Sequence, residues 1–160
     1  MFIETERFGS FELDDTKVID FPQGLPGLEE LHQYVIVKVE ETEPIYWLQS
    51  AEEKYIALPV IVPFEIMEDY TLQIRDKELS ELKVEDQNDL LIMNVVVIPE
   101  QIEKMTANLA APIIVNAKAG LGKQIIVDAK ELPVRYPIYE SVMYALKGGA
   151  ADAGSVSENG

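Results

Sequence analysis

Residues 22–27 read Pro-Gln-Gly-Leu-Pro-Gly, and two Pro/Gly pairs in six positions bar both a helix and a continuous strand from passing through. Proline presets one backbone angle and glycine accepts positive ones, so this segment makes consecutive sharp turns. The runs around it are short and β-like. Residues 2–7 and 11–13 flank Gly9-Ser10 as a hairpin, and residues 18–21 lead into the turns. Strands are predicted at 34–39 and 45–49, separated by the acidic turn 40–44. Another covers 55–62, where Pro59 demands an edge, a bulge or a break. Residues 70–74 alternate apolar and polar side chains, and 90–98 form an almost unbroken β-branched run, the mark of a strand covered on both faces. Residues 113–115 and 124–127 are joined through a Gly-rich turn containing Gly120 and Gly122.

Two segments read as helix. Residues 76–82 form a short surface helix. Residues 138–147 follow Pro137, place Ile138, Val142 and Leu146 at four-residue spacing, and stop at Gly148-Gly149. The expectation is a mainly β protein, a compact antiparallel β-barrel or sandwich with short helices and a C-terminal helix. One domain spans 1–147, and 148–160 is small, polar and patternless, a disordered tail.

Charge excludes one class of partner. The formal net charge is −16, and twenty-four of the twenty-nine acids lie before residue 104, with only seven of the thirteen bases. A field of that sign repels phosphate backbones, so no direct binding to nucleic acid is expected. The start, Met-Phe-Ile-Glu-Thr-Glu, carries no basic region followed by an apolar run, and 90–98 is too short to span a bilayer. With no cysteine in the chain, the expected compartment is the cytoplasm, without membrane association.

Chemistry-bearing motifs fail on inspection. His32 stands alone and reads as a solvated loop residue. One histidine and no cysteine cannot assemble the usual zinc sites. Residues 119–124 end like a phosphate-binding loop, but Ala117 and Gln124 stand where that loop needs Gly and Ser/Thr. Residues 85–89 lack the glycine and terminal Glu of a calcium loop. No catalytic residue, metal ligand or cofactor is assigned. A hydrolase built on paired carboxylates stays open as an alternative, since abundant acid makes any one pair uninformative.

Four stretches together resemble the FliW family of flagellar assembly factors. They are Ile-Asp-Phe-Pro-Gln-Gly-Leu-Pro-Gly at 19–27, Trp-Leu-Gln-Ser at 47–50, Pro63 with Asp69-Tyr70, and Thr-Ala-Asn-Leu-Ala-Ala-Pro-Ile-Ile-Val-Asn at 106–116 followed by Gly122-Lys123-Gln124. The motif positions are Gly24, Pro26, Gly27, Gln49, Ser50, Asp69, Tyr70, Thr106, Asn108, Pro112 and Asn116, and the reading favoured for them is architectural. The resemblance implies two protein partners, flagellin and CsrA, a small dimeric RNA-binding repressor of flagellin translation. It also implies non-competitive inhibition of CsrA, with excess flagellin sequestering the inhibitor. A flagellar adaptor or chaperone without a translational role is the second alternative. The acid fits the main reading, because negative potential docked beside an RNA path lowers RNA affinity without filling the site. Candidate carriers of that potential are Asp14, Asp15, Glu40, Glu41 and Glu43, which fall in predicted turns.

Overall fold

The computed structural model describes residues 1–67, 70–127 and 132–147. A hairpin of β1 (Phe2–Thr5) and β2 (Gly9–Glu12) comes first. It is followed by β3 (Ile19–Asp20), β4 (Gln33–Lys38), β5 (Ile45–Ser50) and β6 (Ala57–Ile61), then the helix α1 (Asp76–Glu81). The chain continues through β7 (Leu90–Val97), β8 (Thr106–Ala107), β9 (Ile113–Asn116), β10 (Leu121–Gln124) and β11 (Tyr136–Pro137) to the helix α2 (Tyr139–Leu146).

Pairing runs β7-β6-β5-β4-β3-β10-β9 and returns from β9 to β7, so seven strands close a barrel. Closure gives every one of these strands two neighbours and leaves no long free edge. The ladders are antiparallel except for one seam, where Asp20 of β3 meets Leu121 of β10 in parallel. That seam arises because β10 leaves its hairpin with β9 already running in the direction of β3. Beyond the barrel, β8 extends from the end of β7 and β11 pairs with β8.

Two-residue alternation sorts side chains into three layers. Phe21, Tyr34, Leu48, Val60, Met93, Ile113 and Val115 fill the barrel. Their neighbours Trp47, Ile61 and Val96 face outwards and are covered by Met105, Leu109, Ile138 and Val142. On the other flank Ile114 packs with Leu82 and Ile125 beneath α1. Thus α2 packs on the barrel through Ile138 and Val142, while Leu146, the third residue of the predicted stripe, is 41% exposed at the end of the helix.

Several local expectations shift. The hairpin turn occupies residues 6–8 rather than Gly9-Ser10, because Thr5 Oγ1 accepts from the Phe8 N–H and donates to the Gly9 carbonyl, and Gly9 takes a φ of +75°. Gly122 lies inside β10, not in the turn: a Cβ there would sit 2.5 Å from the Phe21 ring. Residues 70–74 keep their alternation of burial yet join no ladder among the described residues. Pro59 is within β6, opposite Trp47, where β6 has not yet reached its pairing with β7. The two-residue strands β8 and β11 were too short to carry a period. The predicted tail at 148–160 lies outside the described residues. No helix among the described residues is long and apolar enough to cross a membrane.

Candidate protein-interaction surface

Gln49, Ser50, Asn108 and Asn116 bond the backbone of the chain itself. Gly24 has a φ of +67°, and a Cβ there would meet the Glu29 backbone at 2.7 Å, so the turn admits glycine alone. Pro26 and Gly27 are the central residues of a turn closed by the Leu28 N–H on the Leu25 carbonyl at 2.8 Å, and the φ of +83° at Gly27 is what a type II turn requires. Gln49 is fully buried and donates to the Ser50 carbonyl, while Ser50 Oγ accepts from the Glu52 and Glu53 N–H groups. These bonds shape the bend that follows β5.

The segment 106–116 is one strand with an excursion. Thr106 and Ala107 pair with Val97 and Val96, and pairing resumes with Ile113 opposite Met93. Residues 108–112 therefore loop out over just two residues of β7. Asn94, fully buried, donates to the Asn108 carbonyl, Asn108 Oδ1 accepts from the Ala110 N–H, and Gln124 donates to the Ala111 carbonyl. The buried Pro112 accepts the Ile125 N–H through its carbonyl. Asn116 donates to the Leu82 and Lys83 carbonyls and accepts from the Lys118 and Ala119 N–H groups, tying α1 to the β9–β10 turn. Thr106 is half-buried in β8. Tyr70 is buried, and neither its hydroxyl nor Asn94 Oδ1 has a well-formed hydrogen bond among the described residues. Burial pushes the Tyr70 pKa up, with the Asn94 side chain acting the other way. Asp69 lies outside the described residues.

The five candidate acids occupy two separate turns, and no bond or ion pair among the described residues joins the two. Asp14 caps the turn before β3, accepting from the Thr16 N–H at 2.9 Å, and that bond holds its pKa below the usual range. Asp15 pairs with the Met1 amine at 2.9 Å. Glu40 and Glu41 are exposed in the turn after β4, whereas Glu43 is half-buried and 3.5 Å from Lys38. His32 is not a solvated loop residue: it is half-buried, with Nδ1 3.0 Å from the Phe21 carbonyl oxygen.

One ionic cluster escaped the sequence. Glu78 of α1 is 3% exposed, and its carboxylate takes the Lys123 ammonium at 2.6 Å and the Arg75 guanidinium at 3.0 Å. Lys123 also binds Glu81. The Lys123 hydrogen bond holds the Glu78 pKa down, and the two carboxylates raise that of Lys123. An Asp/Glu acid–base pair needs opposed shifts, and among the described residues the displaced carboxylates Asp14, Glu29 and Glu78 all move down. No group of three or more His, Cys, Asp or Glu that could hold a metal exists among the described residues.

The sequence profile of the FliW protein family matches residues 2–138. The chain belongs to the FliW family. The flagellar assembly factor FliW of Caldanaerobacter subterraneus subsp. tengcongensis is 45% identical over 146 residues, covering 91% of this chain and 97% of the relative. That of Thermoanaerobacter pseudethanolicus is 44% identical with the same coverage. A crystal structure of the flagellar assembly factor FliW superposes with a TM-score of 0.75 at 28% identity, covering 86% of this chain and 94% of the other. FliW proteins are flagellar assembly factors, a description that names no enzyme class. The FliW profile ends at Ile138, the residue that caps α2, so it takes in every strand described above.

Proposed function

We propose that this FliW protein is a non-enzymatic regulator of the cytoplasm that binds flagellin and the translational repressor CsrA, inhibiting CsrA without occupying its RNA site. One domain, 1–147, carries this role. The observation behind the reading is the acid of residues 1–103, twenty-four carboxylates against seven bases, much of it on exposed turns of a closed barrel. A protein so charged is repelled by RNA yet attracted to a basic RNA-binding protein, and once docked it adds negative potential along the RNA path.

The test is a titration of purified CsrA and flagellin against the full chain, with a gel shift on flagellin leader RNA. Binding of CsrA weakens as salt rises, because exposed charge is screened over about 8 Å at physiological ionic strength. Exchanging Asp14, Asp15, Glu40, Glu41 and Glu43 for Asn or Gln keeps side-chain size and removes the charge. At matched CsrA occupancy the exchanged protein relieves RNA binding less completely than the parent. Equal relief by both proteins removes the electrostatic mechanism. Binding to flagellin with none to CsrA makes the protein a flagellar adaptor instead.

A further inference from the structure

We propose that the outer edge of β1 is a strand-addition site that takes an extended, Lys- or Arg-bearing segment of a partner protein. The edge follows from parity. Met1 and Leu13 exchange both backbone bonds, at 2.7 and 2.8 Å, and the register runs Phe2 to Glu12, Ile3 to Phe11 and Glu4 to Ser10. Hydrogen-bonded pairs alternate along an antiparallel ladder, so Ile3 and Thr5 bond β2 while the N–H and C=O groups of Phe2 and Glu4 point away from it. Along that outer edge Glu6 donates to the Lys54 carbonyl at 3.0 Å. Phe2 and Glu4 find no backbone partner there among the described residues. They face a concavity of about 330 Å³ whose far wall is residues 51–54.

Charge and shape then select the occupant. The edge is short and carries a charge at Glu4, which turns away other acidic or apolar strands, while Phe2, 60% exposed, offers an apolar surface. Glu52 and Glu53 also line the concavity, the Glu52 carboxylate held by the His32 and Gln33 N–H groups, and Glu6 extends the negative edge. Of the nearby cations, Lys54 lines the concavity with its ammonium over the Tyr55 ring at 5.2 Å, and Arg7 lies over Trp47 at 4.3 Å. Glu4 and Glu6 form no ion pair among the described residues. Phe2 and Glu4 share one face, since Ile3 and Thr5 are buried between and beyond them. An added strand presents every second side chain to that face, so a lysine or arginine lays its alkyl stem on Phe2 and its charge at Glu4. Main-chain bonds supply affinity, and the carboxylates select a basic segment.

This site rests on the reading that the chain docks basic protein, and its test separates the two. A short blocked peptide of alternating lysine and valine is titrated into the isotope-labelled full chain, with amide shifts read by NMR. Shifts centre on Phe2, Glu4 and residues 51–54. Methylating alternate peptide nitrogens, which blocks strand pairing and keeps the charge, weakens binding by about tenfold or more. Glu4→Pro does the same, since proline removes the outward N–H and is tolerated on an edge. Glu4→Gln keeps the N–H and loses less affinity. Shifts centred elsewhere, no binding, or equal affinity for the methylated peptide overturns the proposal, whether or not the proline variant folds. CsrA and flagellin are titrated in parallel. If neither binds while the peptide still seats on the edge, the partner reading fails and the edge stands. If both bind Glu4→Pro as tightly as the parent, the edge is overturned as their docking site and the partner reading stands.

Discussion

Replacing Lys123 with methionine removes the cation from a carboxylate that the fold has largely dehydrated. Glu78 is 3% exposed, with Lys123 at 2.6 Å on one oxygen and Arg75 at 3.0 Å on the other. The Arg75 side chain is 76% exposed, so its pair is screened like a surface bridge and contributes roughly 0–1 kcal/mol. Lys123 is 18% exposed and carries most of the compensation. Stripping one partner from a buried pair destabilises by about 3–5 kcal/mol; with Arg75 still in place the expected loss is at the lower end, about 3 kcal/mol. In a chain of this length that lowers Tm by roughly 6–12 °C. Urea and thermal unfolding of the parent, Lys123→Met, and Lys123→Met combined with Glu78→Leu measure it. The double variant returns to within about 1 kcal/mol of the parent, because replacing both partners of a buried pair by apolar side chains leaves no uncompensated charge.

The pH dependence supplies a second reading of the same site. Lys123 holds the folded pKa of Glu78 below its ordinary 4.5, so the pair's contribution is present above that value and is lost as pH falls through the folded pKa. The gap between parent and Lys123→Met therefore narrows in acid. A loss under about 1 kcal/mol for the single variant, or a double variant as weak as the single, refutes the reasoning.

Gly122→Ala drives a methyl group into Phe21, which is fully buried at the barrel's centre, and is expected to cost about 1–3 kcal/mol in urea unfolding. Tyr46 is pushed up to about 12 by burial, with Glu65 accepting its hydroxyl at 2.8 Å, and burial also raises Tyr34 and Tyr70. The raised values stabilise fully below the unfolded pKa of 10 and are lost as pH rises through the folded ones, about 12 for Tyr46, so alkaline unfolding and tyrosinate absorbance should rise together above pH 10.

The barrel was legible because its strands carry their own period. Residues 90–98 announced a strand covered on both faces, and β7 is that strand, lined by Met93 inside and Val96 outside. Turn chemistry at 22–27 was legible for the same reason, since proline and glycine act through their own backbone. What stayed hidden depends on residues far apart in the chain. The parallel seam joins Asp20 to Leu121, and the charge of the buried Glu78 is compensated by Lys123 on another element. Residues 70–74 show the limit of the period itself: alternation reports which face is buried, and nothing in it reports a hydrogen-bonded neighbour. Gly122 was misplaced in a turn because glycine marks both a positive φ and a close approach, and only the Phe21 ring decides between them.

That division bears on how partner binding is to be mapped. The amide nitrogens of Gln49, Asn94 and Asn116 and the side-chain oxygens of Ser50, Asn108 and Asn116 bond backbone groups of the same chain. A partner could claim those atoms only by opening the turns they close, and each opened bond leaves a buried group unsatisfied at about 1–3 kcal/mol. Substitutions there lower stability and binding together, so a binding defect at Asn116 locates no interface. The outward groups behave oppositely. Glu4, Glu40 and Glu41 are exposed, and exchanging them moves stability by only about ±0.5 kcal/mol. A binding change at one of these positions, with the melting curve unmoved, locates the contact at that carboxylate and not on the motif that marks the family.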